Sequence, residues 1–372
     1  MSLSVNLHLN SYTASWKPYF IALSDSDTSY LLLVSPLVPG HSPLGRAAPP
    51  GLITLPALSI LLTKILDTTT VPVPRPVAYD VEGNWPFGWL LLRVPGSSQT
   101  HPPMSLASVC TKLSERQLAR IQLQLGVHLR ALHGITNDSF GIPADKLPEP
   151  PSVPSFAELL AAGQTGEEGQ GYGEDMIPYS WQDTFVLQLE QLLEYVCGDA
   201  EAGQTASSDH LNIDVDELRR ALTRAIGSFL FDDVDTPSLI WLTGNEEDVI
   251  MSLTPGTEGS GTTYTEADIA YILPTFAHAL WGDPLMEALF LPPGPTKAMN
   301  EGYFGEEEGT LYLFPRHKTK RVWYTLYLAL IVFAEEMSQE GETTRKADRE
   351  TVRWARNVIP ECIEILKDAP CY

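Results

Sequence analysis

The sequence predicts an α+β protein in two lobes, a small β-rich lobe followed by a larger, mainly helical one. Three observations predict it. Apolar runs of strand length, "SYLLLVSPLV" and "FGWLLLRV", are confined to the first hundred or so residues. Helical periodicity dominates from Ser114 onward. Hydrophobic side chains make up 44% of the 372 residues, enough to build a core in each lobe and too many for a disordered chain. The lobes are expected at residues 1–98 and 99–372.

In chain order, "MSLSVNLHLNSYTASW" has neither a basic start nor a long apolar core, so no signal peptide is expected. After the first strand run, "LPALSILLTKIL" carries apolar residues at helical spacing. It stops before "TTTVPVPRPVAYD", whose prolines force extended backbone leading back into the sheet. "SERQ" reads as a capping box with Ser114 at the cap and Gln117 three residues on. Leu118, Ile121, Leu125 and Leu132 then share one face of the helix that follows. Further helices are expected at "SWQDTFVLQLEQLLEYV" and "DVDELRRALTRAIGSFLF". The acidic, glycine-rich segments "AAGQTGEEGQGYGED" and "CGDAEAGQTASSDH" read as loops. The apolar part of "VWYTLYLALIVFAEEM", about a dozen residues before Glu335, is too short for a membrane span and reads as a buried helix.

Charge excludes whole classes of partner. A formal net charge of −23 argues against nucleic acid and against an anionic membrane surface. No Lys or Arg occurs between Lys146 and Arg219, or between Arg224 and Lys297, so a polyphosphate would meet few cations there. The four cysteines form no CxxC and no Cys/His cluster, which argues against a metal site or disulfide framework and for a reducing, cytoplasmic setting.

Four stretches carry a family resemblance. "TTTVPVPRPVAYD", "WLLLRVPG", "LGVHLRALHGITNDSFGIP" and "ALWGDPLMEALF" occur in the order found in the aminoglycoside phosphotransferase family, a branch of the protein-kinase-like fold. The resemblance runs roughly from Tyr30 to Phe304. It implies a two-lobed kinase-like fold and, in a working member, a lysine, its glutamate, a glycine loop, a catalytic aspartate and metal-holding Asn and Asp residues. This sequence departs from that set almost everywhere. The lysine position falls on Val34 or Ser35, "LPALSILLTKIL" holds no acid, and no glycine precedes Gly40. In "PSLIWLTGNEEDVIM", Trp241 takes the histidine position, Thr243 that of the catalytic aspartate and Asp248 that of the asparagine. Counting back from Trp281, Thr275 replaces the metal-binding aspartate. Threonine is neither a carboxylate base nor a charged Mg²⁺ ligand.

The sequence therefore implies a kinase-like fold without phosphotransfer, no cofactor and no metal. Thr243 and Thr275 either hydrogen-bond a non-nucleotide ligand or fill the space of lost carboxylates. Asp248 either holds a cation or belongs to a solvated acidic turn. His278 is either a general base near neutral pH or structural. Trp241 either occludes the cleft or offers a stacking face to an apolar ligand. Arg93 on the hinge strand and Ser35 are candidate ligand contacts, Arg93 otherwise forming a salt bridge. His133 reads as structural, and Trp281 and Asp283 as local packing and capping. The basic cluster Arg316 to Arg321 is a solvated helix start or a site for an acidic partner. Three functions follow: a cleft reassigned to a small neutral metabolite, a regulatory pseudokinase with a protein partner, or a phosphotransferase with atypical residues.

Overall fold

The strand-forming runs near the N-terminus pair into one antiparallel sheet. The computed structural model describes residues 3–6, 16–23, 28–35, 49–80, 87–95, 104–144, 180–197, 213–256, 264–305, 315–338 and 349–371. Strands β1 (Leu3–Asn6), β2 (Lys17–Leu23), β3 (Ser29–Ser35), β4 (Arg75–Asp80) and β5 (Gly88–Arg93) lie in the order β1-β2-β3-β5-β4. In β3, alternate residues are buried, as expected of a strand with one face on a core. Helix α1 (Leu55–Thr68) connects β3 to β4. Thr54 caps it by accepting the Ala57 N–H at 3.2 Å, and Leu58, Leu62 and Ile65 go fully into the core. The helix runs two residues past "LPALSILLTKIL" and so includes one acid, Asp67, exposed in its last turn. The proline-rich stretch after it becomes β4, as its backbone constraints require, with a bulge between Pro76 and Ala78.

The remainder is mostly helical. A two-residue strand β6 (Met104–Ser105) and a single turn α2 (Leu106–Val109) lead to α3 (Glu115–His133). Both halves of the capping box form: Ser114 Oγ accepts the Gln117 N–H, and Gln117 Oε1 accepts the Ser114 N–H at 3.0 Å. Ile121, Leu125 and Leu132 of the expected face are fully buried, and Leu129 joins them. Helices α4 (Trp181–Cys197) and α5 (Val215–Gly227) match the two apolar patterns, although α5 ends at Gly227 and "SFLF" continues as turns. Four short strands follow: β7 (Ser238–Ile240), β8 (Val249–Pro255), β9 (Tyr264–Ile272) and β10 (Leu280–Gly282). β8 pairs with β9 and β6, while β7 pairs with β10. Helices α6 (Lys297–Phe304), α7 (Pro315–Ser338) and α8 (Arg349–Asp368) complete the chain. No helix among the described residues is long and apolar enough to cross a membrane. The two glycine-rich acidic segments lie outside the described residues.

Two apolar cores result. One joins the N-terminal sheet and α1 to α3, the β8–β9 hairpin and Trp241, Phe276 and Trp281, and so crosses the boundary expected near residue 98. The other unites α4, α5, α7 and α8. Helix α7 holds the apolar run, buried as expected. Helices α3 and α6 cross with their backbones nearly touching: a Cβ on Gly126 would lie 2.1 Å from the Met299 carbonyl oxygen, and one on Gly302 would lie 2.0 Å from that of Leu123.

Candidate functional site

Two loops meet at the centre of the first core. The β7–β8 loop runs from Trp241 through a short 3-10 turn at Glu246–Asp248, and the β9–β10 loop runs from Leu273 to Ala279. Pairing of β7 with β10 and of β8 with β9 fixes both ends of both loops, and the Leu273 N–H donates to the Asp248 carbonyl at 2.8 Å. Trp241, Thr243, Asp248 and Thr275 therefore converge, although 34 residues separate the first from the last.

Their contacts are with one another. The Trp241 indole N–H donates to Thr275 Oγ1 at 3.1 Å, and the ring packs on Phe276 with centroids 5.6 Å apart. Trp241 is 0% exposed, so it has no face left for stacking a ligand from solvent. Gly244 is required beneath it, because a Cβ there would lie 2.2 Å from the indole. The Thr243 hydroxyl donates to the Thr275 carbonyl at 3.2 Å and is likewise buried. Of the four residues only Thr275 is half-exposed. Space-filling and hydrogen bonding are thus both real for the threonines, but the partner is the neighbouring loop.

Asp248 is not a solvated turn residue. Its side chain is buried; Oδ2 accepts the Asn245 N–H at 3.2 Å, and Oδ1 has no hydrogen-bond partner among the described residues. Burial drives its carboxyl well above the usual range; the Asn245 N–H and nearby Thr275 hydroxyl oppose that shift, and Glu247 adds to it. Burial also raises Glu246, with Glu247 contributing. Glu247 itself accepts the Ser105 hydroxyl at 2.6 Å, tying the loop to β6. Among the described residues no group of three or more His, Cys, Asp or Glu side chains could hold a metal ion.

The other candidates lie elsewhere. His278 follows Thr275 by three residues, but its Nε2 pairs with Glu335 Oε1 of α7 at 2.7 Å, both side chains being 1–2% exposed. Ser35 and Arg93 do not share a site. Ser35 is opposite Gly88 in the β3–β5 ladder and Arg93 is opposite Tyr30, five residue steps away, roughly 17 Å along the strands. Ser35 is buried and Arg93 exposed, with no ion pair to another described residue. No protein-family model matches the chain, and no curated protein matches it.

Three supporting groups were not legible beforehand. Glu287, fully buried, accepts the Trp241 backbone N–H at 3.0 Å and faces His133 Nε2 at 3.3 Å, whose Nδ1 meets the Tyr303 hydroxyl at 2.7 Å. Burial raises the Glu287 carboxyl, and His133 and the Trp241 N–H counter it. His133 is structural, as expected. Lys64 on α1 donates to the Thr136 carbonyl at 3.0 Å and sits 4.6 Å above the Trp281 ring. Lys320 is buried between Asp233 and Asp283, 2.9 Å from the latter. Asp283 also caps the turn after β10 by accepting the Leu285 N–H. Within the basic cluster Arg316 and Arg321 donate to backbone carbonyls, and only Lys318 is exposed. For Glu287 and Lys64 the available signal was a lone charge among apolar neighbours, and it names no partner.

Proposed function

We propose that the chain is a two-lobed protein of the kinase-like fold, close to the aminoglycoside phosphotransferase branch, that binds a small neutral organic molecule and does not transfer phosphate. The observation that carries this reading is the Trp241 to Thr275 hydrogen bond. The two loops that the resemblance assigns to catalysis and metal binding come together in space, which supports the alignment that paired them. Yet neutral groups join them where paired carboxylates and Mg²⁺ would neutralise phosphate charge. The carboxylate at the asparagine position, Asp248, is enclosed and held toward its neutral form. A cation brought there would meet one acceptor without its usual companions. The scarcity of Lys and Arg between Arg224 and Lys297 adds to the case for an uncharged ligand.

Thermal shift tests the reading. A ligand at a hundred times its Kd adds about 2.7 kcal/mol to stability. Saturating Mg-ATP is expected to leave the melting temperature unchanged, whereas members of a panel of neutral metabolites raise it. Stabilisation by Mg-ATP overturns the proposal.

A further inference from the structure

The N-terminal sheet is apolar on both faces, and only one of them goes into the core. "YLLLV" in β3 and "WLLL" in β5 are unbroken apolar runs, the pattern of strands covered on both sides. An antiparallel sheet with one wet face alternates instead. Leu31, Leu33, Leu90 and Leu92 point into the core they share with α1. The alternate residues form rungs across the opposite face. Tyr19, Leu32, Leu91 and Ala78 stand side by side on β2, β3, β5 and β4, and Val34 faces Trp89 on the next rung. Ala78 is exposed and the others are half-buried, so this face keeps apolar surface in water.

The rung on the other side of Leu32 carries charge. Arg75 is directly opposite Arg93, which is directly opposite Tyr30. Both arginines are exposed, and neither guanidinium has an ion pair or hydrogen bond to another described residue. Like charges directly opposite destabilise a sheet, and a carboxylate accepting from both guanidiniums offsets that cost. The net charge of −23 repels an extended polyanion. Screening over about 8 Å still leaves a single carboxylate governed by the two arginines beside it.

The edge of the sheet is a poor place for a partner strand. β4 is the edge strand, and Pro76 with the bulge that follows it removes a donor and breaks the ladder. A partner therefore packs on the face. A helix is what the sheet already accepts on its inner side, where α1 packs against β4 and β5.

We propose that the outer face of the N-terminal sheet docks an amphipathic helix of a partner protein. Its apolar stripe covers Tyr19, Leu32 and Leu91, and an acidic side chain at its rim sits over Arg75 and Arg93. β3 and β5 pair over six residues, roughly 20 Å, which a helix of about 14 residues spans. This surface is independent of any ligand held at the β7–β8 and β9–β10 loops.

The test is fluorescence anisotropy of the full-length protein with a labelled helical peptide of that length. One peptide carries a leucine stripe with glutamates at its rim, and a second has lysines in place of the glutamates. The glutamate peptide is expected to bind about tenfold more tightly than the lysine peptide. Arg75→Glu combined with Arg93→Glu is expected to reverse that order. Leu91→Gln, with its fold checked by circular dichroism, is expected to weaken both peptides. Arg75→Glu alone sets opposite charges across the rung and is expected to raise the melting temperature of the free protein. A lowered or unchanged melting temperature would mean that the arginines do not repel, and would overturn the proposal. Equal binding of the two peptides, no binding of the glutamate peptide, or binding indifferent to these variants overturns it as well. A dimer in sedimentation velocity that the same variants dissociate gives the face to a second copy of this chain and overturns the acidic helix.

Discussion

Asp248 stands where the resemblance calls for asparagine, and the exchange has a thermodynamic signature. Its folded-state pKa is raised by burial, so the native state binds a proton more tightly than the unfolded chain does. The stability this contributes is full below the unfolded pKa, about 4, and is lost as pH rises toward the folded value. Asp248→Asn is expected to remove that slope and to be more stable than the parent at neutral pH by at least ~1 kcal/mol, the scale of a poorly satisfied buried acceptor. Urea melts of both proteins across the pH range check it; parallel curves would exclude an enclosed, proton-holding Asp248. Trp241→Ala removes a side chain with no exposed surface and is expected to cost about 3–5 kcal/mol in the same melts. A loss below ~1 kcal/mol would mean that the indole is not core. At this scale the sequence was informative about position and poor about partners. Thr275, picked out by its spacing from Trp281, lies beside Thr243 in the fold. Nothing in the letters of "NEED" distinguishes a solvated turn from one whose last carboxylate is enclosed, because that depends on loop β9–β10, more than twenty residues downstream.

Local signals decided the elements well where they were complete within one segment. Ser114 with Gln117, the apolar spacing of α3 and the prolines ahead of β4 each fix their element without outside help. The tight crossing of α3 and α6 was not legible. Gly126 lies in a helix where glycine is normally a liability, and its reason is a backbone on another element. Gly126→Ala and Gly302→Ala are each expected to destabilise by about 1–3 kcal/mol, since the added methyl meets main chain that cannot rotate aside. Gly227, at the end of α5 with nothing within 4 Å of its Cβ position, is the contrasting case. Its alanine variant is expected to gain a few tenths to about 1 kcal/mol from reduced unfolded-state entropy. Thermal denaturation of the three variants reads the opposite signs directly.

Across the whole molecule, the sheet region and the helical region share a core instead of merely adjoining. Backbone bonds from Ile53 to Ala277 (2.8 Å) and from Ile272 to Pro72 (2.7 Å) stitch α1's flanking segments to the β9–β10 loop, and Lys64 reaches across from α1. Unfolding followed by tryptophan fluorescence and by far-UV circular dichroism is therefore expected to give one coincident transition. Separate transitions would show that the sheet region holds itself together alone. The acidic composition read early as an exclusion of polyanionic partners has a second face here. Lys320, Arg316 and Arg321, three of the chain's 24 Lys and Arg residues, are spent on internal carboxylates and carbonyls. The sequence counted those charges but could not say where they point.

The indole of Trp241 lying on Gly244 has a consequence for how this loop can change over generations. Any side chain at 244 collides with the ring, and any smaller residue at 241 opens a hole over the glycine. Neither position can drift first without loss, so the pair is locked against single-step substitution. Related chains are expected to keep glycine at 244 wherever 241 is tryptophan and to admit other residues at 244 only where 241 is small. Independent variation at the two positions would show that the lock is weaker than the contact implies.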